Sequence, residues 1–402
     1  MLSLVNLVAS LRYLIVGSYQ ALSKIVNYVY VLSPRTRNGL LSPSSTTKNR
    51  DPGTSTKNRS TVMATSNLAL GEGIEIKVTK LLVHPIKSCR GISLPESNVT
   101  PEGLLYDRQY VIVDAVSHKF ITARQFPKLV LVETAIEVGE TPLLVVSFPP
   151  ESGMPSFKTC LTPSSETLDS WEVISDLEIW DDKDLNAYVA QSSSIDSTSS
   201  PSEILSSYLD RDVLLVLKGP KRRAAIPTAT HPDLDAGFRF QDEYPLLIAT
   251  TESLAAVQEK VRLSAAGAEE WKVGGITSQW NNEELVVERF RPNIVLSGSP
   301  APFDEDYWGD VQIGEQGPGG LVISLVGRCG RCLLPNIDTT TGVRDKAVPF
   351  KIISKFRQVE PKKTPCFGVT AIVQNPGVLK VGDSVKVLNV LERETYEAQV
   401  SD

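Results

Sequence analysis

From Ile74 onward the chain is a succession of short apolar runs. Stretches rich in Val, Ile and Leu occupy 74–84, 108–114, 129–137, 143–148 and 213–217, and return at 293–297, 321–326, 369–373 and 385–390. Turn-forming groups such as Cys89-Arg90-Gly91 and Pro101-Glu102-Gly103 separate them. Runs of this length bounded by Gly, Pro and polar residues are strands; a helix needs a longer periodic stretch to bury one face. Only 251–263 spaces its apolar residues as a helix does, with Leu254, Val257 and Val261 on one side. Many short strands at close spacing lead to a barrel or sandwich. The expected class is therefore α+β, mostly β. The ending from Asn375 to Leu388 reads as a turn, a strand edge, a second turn and a closing strand. Residues 191–203 read as a low-complexity loop and an insertion, and 150–205 as an unusually long, Ser-rich loop.

The chain has 402 residues, of which 41% are hydrophobic. That is enough for two or three domains of roughly 150 residues each. Forty-one basic and 47 acidic residues give a net charge of −6, which argues against electrostatic binding of nucleic acid. Five cysteines are too few for a disulfide framework. The charge is unevenly distributed. The first 50 residues carry six basic side chains (Arg12, Lys24, Arg35, Arg37, Lys48 and Arg50) and no Asp or Glu, leaving a net −12 on the remainder. Within 2–32, Ser3, Asn6, Ser10, Gly17, Gln20, Lys24 and Asn27 repeat at three-to-four spacing. They form one polar stripe on an otherwise apolar helix. The charge-free pieces are shorter than the roughly 20 residues a simple span needs. Residues 1–32 are thus expected to be an amphipathic membrane anchor or a targeting helix. Residues 33–70, rich in Ser, Thr, Pro and Asn, are expected to be a disordered linker. Translation from Met63 would remove the first segment and most of the second and leave a cytoplasmic protein.

The densest chemistry-bearing cluster is Arg328-Cys329-Gly330-Arg331-Cys332, at the end of the apolar run 321–326. Flanking arginines lower a thiol pKa and hold anionic groups. A redox dithiol usually places its second cysteine in a helix, which Pro335 and the Thr339–Gly342 turn oppose. A structural zinc needs four ligands, and Cys89, Cys160, Cys366 and the three histidines form no partner motif. A single thiolate on a metal or a catalytic intermediate is the third reading; soft thiolates suit molybdenum, copper or iron–sulfur. Two small buried hydrophobes are the fourth.

The context of the cluster carries a resemblance. The segment from Cys332 through Asp338 to Thr341-Gly342 resembles the Cys-x-x-x-x-x-Asp-x-x-Thr-Gly segment of the MOSC family. Val83-His-Pro-Ile-Lys-Ser-Cys-Arg-Gly91 is similar to the opening of that family's N-terminal β-barrel domain. Tyr106-Asp-Arg108, Phe120 to Gln125, Phe290-Arg-Pro-Asn293 and the 367–383 tail come in family order. The resemblance implies an N-terminal β-barrel domain over 71–225 and a barrel-like MOSC domain over 226–398. It extends to the family's membrane-anchored mitochondrial members, molybdenum enzymes that reduce N-hydroxylated compounds.

By that resemblance Cys332 is the catalytic residue and metal ligand of a molybdenum–molybdopterin group. Lys87, Ser88, Arg108, Arg291 and Asn293 match positions that bind the pterin and its phosphate, with Gly330 and Arg331 completing the cofactor contacts. The expected partners are a small N-hydroxylated substrate, an electron-donating haem protein with its NADH-dependent flavin reductase, and a membrane through the N-terminal segment. The expected address is the mitochondrial outer membrane, with another intracellular membrane as alternative. Departures are also visible. Glu243 and Tyr244 stand where the animal reductases carry small hydroxyl residues, Gly330 can contribute backbone only, and His84 replaces an aromatic as a packing residue. His231, beside Lys221-Arg-Arg223, is a candidate for the pocket rim. The MOSC family also includes sulfurases, in which Cys332 would carry persulfide and pyridoxal phosphate would be the cofactor of an upstream lyase domain. A non-catalytic carrier of the molybdenum cofactor is the remaining alternative.

Overall fold

The computed structural model describes residues 75–193, 198–314, 320–359 and 363–392. The expectations for 1–32 and 33–70 fall outside these residues. Among the described residues no helix is long and apolar enough to cross a membrane.

Seven strands close into a barrel: β1 (Ile76–Val83), β2 (Leu246–Thr250), β3 (Ile294–Ser297), β4 (Asp310–Ile313), β5 (Leu321–Gly330), β6 (Thr364–Val373) and β7 (Ser384–Val387). Their order around the barrel is β2-β3-β1-β7-β4-β5-β6, and β6 closes it by pairing antiparallel with β2, Leu247 opposite Thr370. The apolar alternation explains the strands. In β1, Ile76, Val78, Leu81 and Val83 enter the barrel core, whereas Leu82 faces the cluster outside it. The one parallel pair is β2 with β3, Ile248 opposite Ile294. Parallel neighbours require a crossover, and helix α1 (Thr251–Ala265) supplies it. Thr250 caps α1 by accepting from the Ser253 N–H, a preferred N-cap role for threonine. Val257 and Val261 bury against Leu82, Val295 and Phe367, with Leu254 partly buried beside them, as the spacing predicts.

The half of the chain between β1 and β2 adds two larger sheets, besides the short pair Arg223–Ala224 with Gly237–Phe238. One joins Tyr110–Asp114, Val213–Lys218, Asp182–Val189 and Val173–Ile179; the other joins Glu133–Glu137, Leu143–Ser147 and Phe157–Cys160. Tyr110 and Ile112 face one core while Val111 and Val113 face another. A strand buried on both faces reads as an unbroken apolar run, as 110–114 does. The two halves exchange strands. The N-terminal β1 is a barrel stave, and Glu96–Thr100 pairs with Gly377–Lys380.

Three sequence expectations change. The run 129–137 is half turn: Pro127 opens a 3-10 helix over Pro127–Leu131, and the strand starts only at Glu133. The stretch 150–205 is not a loop, since it holds three strands and the start of the helix Pro201–Leu209. The end of the supposed loop at 191–203 is that helix's start. Ser200 accepts from the Glu203 N–H while the Glu203 side chain accepts from the Ser200 N–H, a capping box that stabilises the first turn.

Candidate functional site

A cavity of about 530 Å³ lies where segments from both halves converge. The loop after β1, the hairpin tip at Trp180, the segment leading into β2, the turn into β3 and the end of β5 line it. Lys87, Ser88, Arg108, Arg291, Asn293, Gly330, Arg331 and Cys332 all belong to the lining. Residues spread over 246 positions are thus brought to one place.

Its cationic side is built on a buried carboxylate. Asp107 is fully buried and accepts from the backbone N–H of His84 at 2.8 Å and from Arg108 Nη1 through both oxygens at 2.7 Å. Burial alone would raise the pKa of Asp107. The Arg108 guanidinium and the bond from His84 overcome that and hold the carboxyl well below its ordinary range. Arg108 Nη2 continues to the Arg291 carbonyl at 3.0 Å, and Arg291 Nη1 donates to the Cys89 carbonyl at 2.7 Å. Burial, and then the like charge of Arg108, pull Arg291 down to about 9. Lys87 Nζ donates to the Phe240 carbonyl at 2.7 Å and pairs with Asp242. Burial lowers its pKa and Asp242 opposes the shift.

The thiols divide by burial. Cys89, Cys160 and Cys366 are buried; burial pushes Cys89 up to about 12 and Cys366 up to about 11, so both stay protonated. Cys329 lies inside β5 and accepts from Arg331 Nη1 at 3.0 Å. Cys332, two residues past the strand, is the exposed thiol of the five, with the Leu334 N–H 3.5 Å from its sulfur. Immediately beyond it the chain makes a 3-10 turn, Leu334–Asn336, with Pro335 in its first turn. The helix that a thioredoxin-like dithiol requires is not formed. Asp338 fixes the next turn by accepting from Thr340 N, Thr341 N and Arg289 Nη2.

The geometry places several of these residues more closely. Arg328 does not line the cavity: it is buried in an ion pair with Asp306, 3.0 Å away, a carboxylate shared with Arg357. Of the two arginines flanking the thiols, only Arg331 reaches the site. Asn293 lines the cavity, but its amide bridges barrel strands, donating to the Leu82 carbonyl and accepting from Leu247 N–H, both at 3.2 Å. His231 lies outside the lining and bonds with Thr230 in its own turn. His84 is a packing residue, 2% exposed, and burial, then Arg108 and Arg291, push its pKa well below the ordinary value. Its ring explains Gly91: a Cβ there would lie 2.6 Å from His84 Nε2.

The lining also holds residues the sequence reading passed over. Arg223 is 2% exposed and donates to Asp182 and to the carbonyls of Arg239 and Gln241 at 2.7–2.8 Å. Its available signal was the Lys221-Arg-Arg223 run itself. Trp180, Asp181 and Asp182 come from a hairpin tip with no sequence motif. Glu243 and Tyr244 do line the cavity, and Tyr244 donates its hydroxyl to the Ile226 carbonyl at 2.8 Å.

This donor set suits an anionic group that brings its own metal ligands. Arg291 Nη2 and Arg331 Nε are buried and donate to nothing, and buried guanidinium N–H groups require acceptors. Among the described residues no group of three or more His, Cys, Asp or Glu is placed to hold a metal. A metal here would take one thiolate from the protein and its other ligands from the group that carries it.

Residues 75–191 match the MOSC N-terminal beta barrel domain and residues 235–386 the MOSC domain. Mitochondrial amidoxime-reducing component 1 of Homo sapiens is 28% identical over 327 residues, covering 77% of this chain and 82% of that protein. Its Danio rerio counterpart is 29% identical over 318 residues, covering 77% and 83%. The molybdenum cofactor sulfurase of Danio rerio is 25% identical over 288 residues, covering 71% of this chain but only 31% of that protein. A closed barrel sharing its first strand with an N-terminal β domain, with matches to both domain models in order, makes this chain a member of the MOSC family with the N-terminal β-barrel domain.

Proposed function

We propose that the chain is a molybdenum-cofactor-dependent oxidoreductase that reduces small N-hydroxylated compounds, with Cys332 as the metal's protein ligand. The observation that carries this reading is one exposed thiol in a cavity lined by two arginines that each keep one buried N–H without an acceptor, Arg291 Nη2 and Arg331 Nε. When bound, a pterin-coordinated molybdenum supplies removal of oxygen from an N–O bond, with two electrons restored by outside donors. The chain's own residues do the rest. Lys87, Arg108 and Arg291 balance the negative charge of the pterin phosphate, and Arg forks suit its oxygens. Ser88 offers a neutral hydroxyl and Gly330 a bare backbone edge. Arg331 donates to the sulfur of the neighbouring Cys329, and the Leu334 N–H donates to the Cys332 sulfur at the metal position.

The relatives' names carry the word mitochondrial, and we extend that address to this chain, with residues 1–32 contacting the outer membrane. A haem protein with its NADH-dependent flavin reductase would supply the electrons. A second reading has Cys332 carrying persulfide. It draws on the exposure of Cys332 and on the likeness to a molybdenum cofactor sulfurase.

The test is molybdenum content, by plasma mass spectrometry, of the full chain purified from a host that makes molybdenum cofactor. Near-stoichiometric molybdenum is expected, lost in Cys332→Ala at unchanged melting temperature. Arg291→Ala should lower pterin content. Molybdenum retained in Cys332→Ala refutes the ligand assignment. Absent molybdenum with cyanolysable sulfur on Cys332 favours the persulfide reading.

A further inference from the structure

Trp180 is 44% exposed in the mouth of the cavity. It begins the two-residue turn between Val173–Ile179 and Asp182–Val189, which pair Ile179 with Asp182. Its φ is +53°. Such turns place Gly or Asn where the backbone is left-handed, and a bulky side chain there is an outlier. The indole is nevertheless held firmly. Its Nε1 donates to Asp242 at 3.0 Å, the Phe120 ring meets it edge-on at 4.7 Å, and the Arg124 guanidinium lies 4.8 Å from its centre. Asp242 is also the partner of Lys87, so the ring is tied to the cationic wall. A strained hairpin tip that presents a pinned, half-open aromatic plate to a cavity marks a functional position.

We propose that Trp180 is the specificity-determining residue of this site, a stacking plate for a planar conjugated group, such as an aryl ring, next to the reducible N–O bond. The proposal rests on the reductase reading for its substrate, while the plate itself is testable by binding. A flat ring against an indole face removes apolar area from both and adds the quadrupole preference for offset stacking. Ile226, 73% exposed and held by Tyr244, supplies an apolar contact in the same lining.

The experiment uses the molybdenum-loaded full chain in wild-type, Trp180→Phe and Trp180→Ala forms. The oxygen-free analogues benzamidine and acetamidine are titrated by isothermal calorimetry, and kcat/KM is measured for the matching aryl and alkyl amidoximes. We expect Trp180→Ala to weaken benzamidine relative to acetamidine by about tenfold, with the aryl-to-alkyl kcat/KM ratio falling in step. Trp180→Phe should recover most of both. An unchanged benzamidine-to-acetamidine ratio in Trp180→Ala overturns the proposal. A wild type that binds benzamidine through Trp180 but reduces neither amidoxime leaves the plate standing and removes the reductase reading.

Discussion

Replacing Asp107 by Asn tests whether the buried carboxylate is what organises the cationic wall. The change is nearly isosteric, so packing is kept while charge and one acceptor are lost. Asp107 is fully buried and the Arg108 side chain is only 11% exposed. Removing one partner of a buried ion pair costs about 3–5 kcal/mol, because the other charge is stranded. The amide keeps one carbonyl for the His84 N–H, and Arg108 keeps the Arg291 carbonyl, which places the loss near the lower end, about 3 kcal/mol. With an unfolding entropy of about 2.1 cal/mol/K per residue over some 320 residues, this is a fall in melting temperature of about 4 °C. The pH dependence has a definite sign. A carboxyl whose folded pKa lies below its unfolded value of about 4 stabilises the fold at every pH above that value and loses the contribution as pH falls through the folded pKa. The gap between wild type and Asp107→Asn should therefore be constant from pH 5 to 8 and narrow below about pH 4. Thermal melts followed by near-ultraviolet circular dichroism across this range give both quantities. Equal melting temperatures at pH 7, or a gap that opens only in acid, would refute the reasoning.

Two further perturbations probe the packing around the site. Gly91→Ala should destabilise by about 1–3 kcal/mol, since its Cβ would press on the buried His84 ring; in a His84→Ala background the same change should be close to neutral in chemical denaturation. Glu305 is fully buried, and burial followed by the adjacent Asp306 raises its pKa to about 7. Its folded form holds a proton that the unfolded chain releases near pH 4, so wild-type stability declines between about pH 4 and pH 7. Glu305→Gln should flatten that slope in melts at pH 5 and pH 8, and an unchanged slope would remove Glu305 as its source.

Strands buried on both faces, such as Tyr110–Asp114, and alternating ones such as Ile76–Val83 were legible because burial writes its period into the sequence. The hairpin Val173–Ile179 with Asp182–Val189 was not. Asp176, Glu178, Asp182, Lys183 and Asp184 make it look like solvent-exposed loop, although Ile174, Leu177, Leu185 and Ala187 bury one face. Its alternation is broken by bulges, with Ile174 and Leu177 three residues apart, and acidic residues are poor strand formers. Closure of the barrel by β2 against β6 joins residues more than a hundred positions apart, which no local pattern encodes. Cysteine position was legible at the level of the strand end. What the sequence could not separate was Arg328 from Arg331, because their different fates depend on Asp306, which lies on another segment.

The same limit explains which parts of the site resist sequence reading altogether. Among the described residues, ten other than glycine have positive φ, and four of them line the cavity: Ser88, Arg108, Trp180 and Arg291. An L-residue in the left-handed region gives up roughly 1 kcal/mol, and neither arginine nor tryptophan has the short polar side chain that eases it. Such positions persist only where surrounding structure over-determines them. For Arg108 the constraint is Asp107 beneath it; for Arg291, the end of the 3-10 turn Val287–Phe290, whose Phe290 stacks on Phe367 at 3.9 Å. A left-handed backbone turns the chain sharply, so a side chain is aimed where a strand or helix would not send it. Local propensity is broken at the points where the fold must direct a guanidinium or an indole into the cavity. Replacing Arg108 or Arg291 by glycine would relieve the backbone and remove the charge together, whereas alanine keeps the strained backbone and removes the charge alone. If strain rather than charge governed these positions, the glycine variants would be the more stable of each pair even after unfolded-state entropy subtracts about 0.4–1 kcal/mol.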